Sequence, residues 1–510
     1  MTLVEMISPP ESSAVRLIES FADGSLTPSA LLEACLARIS RINPGINALT
    51  AFAAERAVGE AAQSTRRWKD GAPIGPLDGL PIGVKDLQDA EGLPTTHGSP
   101  LFRSGAASKD LPVVARLRRA GAIVLAKTNV PEFGAGGNTR NPVWGATGNP
   151  YDPRLTAGGS SGGSAAALAA SLLPLCTGSD TGGSLRVPAG FCGVVGYRPS
   201  TDVVAHPTRP VGWSMISVLG PMARNMDDLI LMLRACHGFD PGDPLSGPSD
   251  PARFDTVAAA PAGKLRIGYS EDFGGAPVDP KIRAAFRVRV EAIRPHVAAC
   301  RPVDLDLGDL DRTFDILRAE SFLAAFDMPK AEDLARFGPH VATNVELGRE
   351  FTLHDRAWAH AEQTRALRAF NALMEDHDLI LLPTAPVSPF PWTESHPTRI
   401  DGTAMDIYYR WLALTYRSSL LGGPSITLPA GLDAAGMPFG LQALGPVRGD
   451  VALLSAARAL EVILARSPET RPARPNLEKA LRTPADLRSI VTHPPLSAPV
   501  SATRDIGTAV

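Results

Sequence analysis

The sequence predicts an α/β fold built on a mixed sheet. Apolar runs of strand length, such as residues 379–382 and 425–428, alternate with longer stretches of helical period, which is the pattern of α/β architecture. The chain has 510 residues, 44% of them apolar, and a net charge of −3. That composition indicates a globular protein with a large core, and the charge balance gives no reason to expect binding to nucleic acid or to a membrane.

The first helix is predicted over residues 27–42. Thr27 can cap it, Pro28 suits its first turn, and apolar residues recur from Leu31 to Ile39 with a period of 3.6. Residues 111–128 follow as a helix, a turn at Gly121 and a buried strand. The remaining predictions are strands over 80–85, 191–196, 264–269, 379–382, 425–428 and 439–444, and helices over 164–173, much of 310–378 and 450–466.

Two segments lack such patterns. Residues 238–263 are rich in proline and glycine and are predicted to form a long surface connection. Residues 483–510 have no periodicity, and we expect a poorly ordered tail there. The N-terminus has no basic or apolar leader pattern, and the five cysteines fall outside any C-x-x-C pair, so a cytoplasmic protein with reduced thiols is expected.

Residues 155–197 are the most informative segment, with the sequence LTAGGSSGGSAAALAASLLPLCTGSDTGGSLRVPAGFCGVVGY. Its glycines and small apolar residues indicate close backbone packing rather than a flexible linker. A phosphate loop would require a following G-K-S/T, which is absent. The run around Ser161 matches G-x-S-x-G, but that mechanism needs a histidine, and none downstream has a telling context. Asp180-Thr181-Gly182 matches D-T-G, but there is no second copy.

The motifs in and around this segment resemble the amidase signature family. The resemblance rests on GGSSGGSAAALAA (158–170) and GSDTGGSLRVPAGFCGVVGYRPS (178–200), with GPLDGLPIGVKDLQDAEGLPTTHGS (75–99) and AKTNVPEF (126–133) upstream. It continues through LGPMARNMDDLILML, DPGDPLS, LLPTAP and LQALGP, and covers about residues 13–466. It implies one large domain over residues 1–480, with a central mixed, twisted sheet covered by helices on both faces, and a tail over 481–510.

The resemblance also implies site residues. It assigns Ser184 as nucleophile, Ser160 as the bridging serine after a cis peptide bond, and Lys85 as the base. The backbone amides of Thr181, Gly182, Gly183 and Ser184 would form the oxyanion hole, and Gly134 and Ser160 would contact substrate.

Physical chemistry supports a buried lysine in this role. An amine with a pKa near 10.4 is protonated at pH 7 and cannot accept a proton, whereas burial lowers its pKa. Lys85 ends the apolar run LPIGVK, which predicts a buried strand. The alternation of side chains in a strand would turn the neighbouring Asp86 to the opposite face.

Other polar residues of these motifs receive structural interpretations. Ser161 and Ser164 are predicted to cap the following helix, and Asp180 and Arg186 to support the loop. Cys192 is expected to be an inert buried thiol. His97 is expected to be structural, since a lysine–serine mechanism needs no histidine.

The expected reaction is hydrolysis of a carboxamide, anilide or related ester or carbamate through an acyl-enzyme. Aromatic residues hint at an apolar or aromatic substrate, although ordinary core packing explains them equally well: Phe314, Phe322, Phe326, Phe337, Phe351, Phe370, Trp392, Tyr408, Tyr409, Trp411 and Tyr416. No metal-ligand spacing is present, so no metal or cofactor is predicted. The expected partners are a small-molecule amide and, for a homodimer, a second copy of the chain. The alternative function is the glutamine-hydrolysing subunit of a tRNA-dependent amidotransferase.

Overall fold

The computed structural model describes residues 9–326, 334 and 336–496. Within them, one large mixed sheet of 11 strands is flanked by helices, so the predicted fold class is confirmed. The strands of this sheet in chain order are β1 Leu49–Phe52, β2 Pro81–Lys85, β3 Ile123–Thr128, β4 Leu175–Asp180, β5 Val195–Arg198, β6 Val218–Ala223, β7 Arg266–Tyr269, β8 Ala299–Pro302, β9 Leu379–Pro383, β10 Ser425–Leu432 and β11 Pro438–Leu444.

The strand order across the sheet is β1-β3-β2-β4-β6-β5-β10-β11-β9-β7-β8. The pairs β3–β2, β2–β4, β9–β7 and β7–β8 are parallel, and the remaining neighbours are antiparallel. The parallel β2–β4 pair brings the ends of these two strands, Lys85 and Asp180, to the same edge of the sheet.

Helices precede the first strand, lie in many of the connections between strands and follow the last strand. Their bounds are α1 Ala14–Ala22, α2 Pro28–Ile46, α3 Ala54–Lys69, α4 Pro112–Arg119, α5 Gly162–Ala169, α6 Arg186–Cys192, α7 Met226–Cys236, α8 Pro280–Ile293, α9 Leu310–Phe326, α10 Pro339–Glu350, α11 Leu353–Met374, α12 Ala413–Leu420, α13 Asp450–Leu464 and α14 Leu477–Leu481. Every helix in the described ranges is too short or too polar to cross a bilayer.

Strand β3 shows how the two faces of the sheet are covered. Val124 packs into one apolar cluster together with residues of α4 and α7. Ile123 and Leu125 pack into a second cluster with residues of α3 and α5. Alternate side chains of a strand point to opposite faces, so helices cover both faces of the sheet.

Most of the predicted elements are present. Thr27 caps α2 as predicted, but the helix runs to Ile46 and includes Pro44. Gly121 has φ +94°, and a Cβ there would lie 2.4 Å from the Cα of Asp78, so this turn requires glycine.

The structure differs from the predictions within the glycine-rich segment and at the strand that pairs with it. Strand β4 was missed because its sequence LCTGSD resembles a loop, and its antiparallel partner β6 was missed because it contains Gly220 and Pro221. The predicted strand over 191–196 is wrong at its start, because Cys192 ends α6 and β5 begins at Val195. The helix predicted over 164–173 is α5 and ends at Ala169.

Part of the predicted tail is described and packs on the body of the protein. Leu487 is buried in a small cluster with Ala146 and Trp392, and its carbonyl accepts a hydrogen bond from the Ala146 amide. The sequence does not predict this contact, because a single apolar anchor produces no periodic pattern. Residues 497–510 of the predicted tail lie outside the described residues, and the domain boundary at 480 stays a prediction.

Candidate active site

Lys85 ends strand β2 with its side chain fully buried. Its Nζ lies 2.8 Å from Ser160 Oγ, 2.8 Å from Ser161 Oγ and 2.9 Å from Ser179 Oγ. Burial lowers the pKa of Lys85 from 10.5 to about 7, although the carboxylate of Asp180 acts in the opposite direction. A substantial fraction of this amine is therefore neutral at physiological pH, and three hydroxyls fix its position.

Asp86 follows Lys85 but faces a different set of groups. Its carboxylate accepts hydrogen bonds from Thr96 and from the indole of Trp144, and lies 3.7 Å from the Lys127 ammonium. The expectation that Asp86 would turn away from the Lys85 amine agrees with these contacts. Asp86 therefore does not act as the partner of Lys85.

Ser160 lies two residues before the start of α5. The Gly159–Ser160 peptide bond is cis, as the resemblance implied. A Cβ on Gly159 would lie 2.9 Å from the carbonyl oxygen of Gly136, so the chain passes through a space that only glycine fits. Ser160 itself is 2% exposed and points its hydroxyl to Lys85.

The prediction that Ser161 and Ser164 cap α5 is wrong. Ser161 occupies the N-cap position, but its side chain makes no capping hydrogen bond and instead contacts Lys85. Ser164 lies inside the helix, where its hydroxyl donates to the carbonyl of Thr177 and contacts Thr128. The Ser161 hydroxyl thus links the start of α5 to the lysine, and the Ser164 hydroxyl links the helix to strands β3 and β4.

Asp180 organises the loop that carries Ser184. It accepts hydrogen bonds from the amides of Gly183 and Leu185, at 2.8 and 3.1 Å, and from Nε and Nη2 of Arg186. Burial opposes ionisation of this carboxyl, but Arg186 and Arg198 together hold its pKa below the ordinary value. The predicted supporting roles of Asp180 and Arg186 agree with this geometry.

The four amides predicted as an oxyanion hole are not equivalent. The Gly183 amide already donates to Asp180. The amides of Thr181, Gly182 and Ser184 make no hydrogen bond within the described part of the chain. Gly183 has φ +119°, and a Cβ there would lie 2.2 Å from Thr415 Oγ1. Three of the four amides are therefore free to bind an oxyanion, whereas the Gly183 amide is already bonded to Asp180.

A cavity of about 440 Å³ is lined by part of the predicted site, whereas Lys85, Gly182 and Gly183 are not among its lining residues. Ser160, Ser184, Thr181 and Gly134 all line it. A Cβ on Gly134 would lie 3.2 Å from Ser160 Oγ, so glycine keeps the approach to this hydroxyl open. Ser184 Oγ makes no hydrogen bond to Ser160 or to any other described residue, and the structure thus brings the two serines to one cavity without linking them.

Aromatic side chains form one wall of this cavity. Phe322 and Phe326 of α9 line it together with Phe133 and His97. His97 stacks on Phe133 with ring centroids 5.4 Å apart, and burial lowers the pKa of its imidazole to about 4. His97 is therefore neutral near pH 7. Of the other predicted aromatics, Phe370 lies in the main core.

Cys192 does not line the cavity. It is fully buried at the end of α6, its thiol lies 3.4 Å from the carbonyl of Ala157, and burial raises its pKa. Among the described residues there is also no group of three or more His, Cys, Asp or Glu side chains placed to hold a metal.

Sequence reasoning missed two contacts of Lys85 and, among other cavity residues, Arg318. Ser179 bonds to Lys85, but it lies in β4, which the sequence does not predict as a strand. Ser161 has the sequence position of a helix cap, which hides its contact with the lysine. Arg318 lines the cavity from α9, and no motif in the surrounding sequence marks it.

Comparison with known proteins shows which family this chain resembles over most of its length. The family model described as Amidase matches residues 30–454. The chain is 32% identical to an acylamidase of Rhodococcus erythropolis over 471 residues, which is 88% of this chain and 95% of that protein. It is 31% identical over 466 residues to a glutamyl-tRNA(Gln) amidotransferase subunit of Chloroflexus aurantiacus, covering 87% of this chain and 94% of that protein.

Solved structures give the same result. A bacterial aryl acylamidase of the amidase signature family superimposes with a TM-score of 0.82 and 26% identity, covering 93% of this chain and 98% of that one. The family match spans most of the chain, and the curated relatives are aligned over almost their full lengths. The chain therefore belongs to the amidase signature family.

Proposed function

We propose that this protein is a serine amidohydrolase that cleaves the C–N bond of a carboxamide or anilide, or the corresponding bond of an ester or carbamate. The observation that carries the proposal is the buried Lys85 amine, with a pKa lowered to about 7 and a hydrogen bond to Ser160, beside a cavity that also contains Ser184. The acylamidase relative and the aryl acylamidase structure support the same reaction class.

The first step is attack by Ser184 on the substrate carbonyl. A serine hydroxyl is a weak nucleophile until a base accepts its proton. Neutral Lys85 offers one lone pair and two N–H groups, so Ser160 can donate its proton to Lys85 while accepting the proton of Ser184. Ser184 Oγ has no competing hydrogen bond in the described residues, which leaves its side chain free to rotate toward Ser160.

The oxyanion of the tetrahedral intermediate would bind the free amides of the Ser184 loop. Thr181, Gly182 and Ser184 offer such amides, whereas the Gly183 amide is held by Asp180. We therefore propose three donors instead of the four predicted from sequence. Loss of one such donor typically reduces kcat by about 10²–10³-fold.

The intermediate then collapses to an acyl-enzyme on Ser184. The proton taken from Ser184 passes from Lys85 through Ser160 to the leaving nitrogen, and the C–N bond breaks. Water attacks the acyl-enzyme by the same route in reverse, which restores Ser184 and releases the carboxylic acid. Gly134 would leave space for the substrate next to Ser160.

Covalent labelling tests the nucleophile. A fluorophosphonate probe should label the wild-type protein at Ser184, and Ser184→Ala should lose labelling and at least about 10³-fold of the amidase rate. Ser321→Ala is the matched control, because this cavity serine points its hydroxyl to a helix carbonyl. Labelling of Ser184→Ala at the wild-type rate would contradict the assignment.

The pH dependence tests the base. Because the neutral amine is the active form, kcat/KM should rise with pH and level off above about 7, the lowered pKa of Lys85. Lys85→Ala should lose most of the rate at pH 7 and recover part of it at higher pH, where hydroxide replaces the base. A Lys85→Ala enzyme with normal activity at pH 7 would exclude this role.

The glutamine-hydrolysing subunit of a tRNA-dependent amidotransferase is the second candidate, because the Chloroflexus relative is 31% identical to this chain. The two candidates differ in what the purified protein needs. A stand-alone amidase, as a monomer or homodimer, hydrolyses aryl or alkyl amides without other chains. The amidotransferase component would need partner chains before it released ammonia from glutamine at a useful rate.

A further inference from the structure

Arg318 lies on α9 and lines the cavity that contains Ser184. It is 7% exposed. Its Nη2 donates to the Tyr408 hydroxyl at 2.6 Å, whereas its Nε is buried without a hydrogen-bond partner. Among the described residues, neither Nη1 nor any other atom of Arg318 is paired with a carboxylate. A guanidinium has five N–H donors and carries a positive charge, so this buried charge has no counter-ion among the residues that the structure describes.

The carboxylates of α9, the helix of Arg318, form ion pairs with other arginines. Asp311 pairs with Arg417, Asp315 with Arg410, and Glu320 with Arg356. None of them is available to neutralise Arg318.

The other arginine of the cavity shows the contrast. Arg209 pairs with Asp243 at 2.9 Å and also donates to the carbonyls of Gly212 and Ser217. Its charge and its donors are satisfied by the protein. Arg318 is thus the cavity cation in the described part of the chain that lacks an anion.

Aromatic rings hold Arg318 in place. Its guanidinium carbon lies between 4.8 and 5.9 Å from the ring centroids of Phe314, Phe322, Tyr408 and Tyr409. Such rings stabilise a cation and limit its movement, but their faces supply no hydrogen-bond acceptor for Nε or Nη1. The guanidinium is thus held in a fixed position, and within the described part of the chain its Nε has no acceptor.

We propose that Arg318 binds a carboxylate of the substrate, so that the preferred substrates are amides that also carry a carboxylate group. This inference rests on the proposed function, since it assumes that the amide reacts at Ser184 in the same cavity. A buried guanidinium is the group best suited to bind a planar carboxylate. The carboxylate belongs either to the acyl part or to the amine part of the substrate, and the experiment separates these cases.

Two pairs of anilides test the proposal. N-phenylsuccinamate, with its carboxylate on the acyl side, is compared with butyranilide, and 4-acetamidobenzoate, with its carboxylate on the amine side, with 4-methylacetanilide. The wild type should favour the charged member of at least one pair by about tenfold or more in kcat/KM. Arg318→Met should lower that ratio by about 10–100-fold, through a higher KM.

Two further variants keep the result interpretable. Arg356→Met removes an exposed arginine that pairs with Glu320, a residue of the helix that carries Arg318. This variant should leave the ratio of kcat/KM between charged and uncharged anilides unchanged. Arg318→Lys keeps a charge among the aromatic rings and should retain part of the preference, which guards against a folding defect in Arg318→Met. An unchanged ratio in folded Arg318→Met, or no preference in the wild type, would overturn the proposal.

A binding measurement separates this inference from the proposed function. Calorimetry with Ser184→Ala should detect binding of N-phenylsuccinamate or 4-acetamidobenzoate, and Ser184→Ala/Arg318→Met should bind the same compound at least tenfold more weakly. If the wild type binds these carboxylates but is not labelled by a fluorophosphonate, the proposed function fails and the Arg318 site stands. If the wild type is labelled, but Ser184→Ala and Ser184→Ala/Arg318→Met bind the carboxylates equally well, the proposed function stands and the Arg318 site fails.

Discussion

At the scale of single residues, the three hydroxyls around Lys85 differ in what their loss should do. Ser160→Ala should cause the largest fall in kcat, because this serine lies between the amine and the cavity. Ser179→Ala should act more weakly, by about tenfold, and should move the acidic limb of the pH profile to lower pH. The ammonium loses one acceptor in that variant, which lowers the pKa of Lys85 further.

A serine of the same segment serves as its control. Ser164 bonds to Thr177 and Thr128 and not to Lys85, so Ser164→Ala should leave the position of the limb unchanged even if it lowers stability. Steady-state kinetics over pH 5–9 measure both effects. An identical limb in Ser179→Ala and the wild type would show that this contact does not tune the lysine.

The buried lysine should also make stability depend on pH. Its pKa is about 7 in the folded protein and 10.5 ordinarily, so the unfolded chain binds more protons between these values and wild-type stability rises with pH in that window. Met at this position lacks the proton linkage. The Tm of Lys85→Met minus that of the wild type should therefore be most positive below pH 7 and decrease toward pH 10.

Differential scanning fluorimetry of both proteins measures this trend. The loss of the hydrogen bonds made by Lys85 Nζ adds a constant offset that does not change the slope. Lys264→Met, at an exposed lysine, should show no trend of this kind. A difference in Tm that grows from pH 7 to pH 10 would mean that the lysine is not held in its neutral form.

At the scale of elements, helix α5 depends on its glycines. A Cβ on Gly163 would lie 2.2 Å from the backbone nitrogen of Asn129 and 2.6 Å from the carbonyl oxygen of Ala48. Ala48 directly precedes β1 and Asn129 directly follows β3, so their backbone atoms cannot move aside easily. Gly163→Ala should therefore destabilise the protein by about 1–3 kcal/mol. Urea unfolding monitored by tryptophan fluorescence gives the change.

Gly59 of α3 offers the opposite case. It is exposed within the helix, and a Cβ there would meet no atom within 4 Å. Gly59→Ala should therefore stabilise the protein by about 0.5–1 kcal/mol, because alanine loses less conformational freedom in a helix. If both variants shifted stability in the same direction, close packing of α5 would not be the reason for its glycines.

The elements also show which parts of the fold are predictable from sequence. Helix α2 has a capping residue and apolar residues with a helical period, and strand β3 is a short apolar run after a glycine turn. The sequence predicts both elements. It does not predict strands β4 and β6, because Gly178 and Pro221 are atypical of strands. Gly178 is required there by tertiary contact, since a Cβ would lie 2.4 Å from the Leu185 side chain.

The same distinction applies to the site. Lys85, Ser160 and Ser184 lie in motifs with fixed spacing and are assigned by resemblance. The capping prediction for Ser161 fails because local sequence cannot show that a lysine 76 positions away competes for its hydroxyl. Arg318 has no local signal at all, since its significance depends on which distant carboxylates are already paired.

At the scale of the whole molecule, Arg186 and Asp180 join distant parts of the chain at the active site. The Arg186 guanidinium, fully buried, bonds to Asp180 of β4, to Ser418 and Ser419 of α12 and to Gln442 of β11. The loop that carries Ser184 is therefore fixed by elements more than 200 residues away in sequence. Stability and catalysis should depend on the same contacts.

Asp180→Asn tests this connection. The variant keeps the shape of the side chain but leaves Arg186 and Arg198 without their shared counter-charge, and removing one partner of a buried ion pair typically costs about 3–5 kcal/mol. Urea unfolding should show that loss, and fluorophosphonate labelling of the folded variant should slow because the Gly183 amide loses its carboxylate acceptor. Asp152→Asn, which breaks an ion pair with the exposed Arg154, should change stability by less than about 1 kcal/mol. Equal effects of the two substitutions would mean that the buried carboxylate does not hold the catalytic loop to the rest of the molecule.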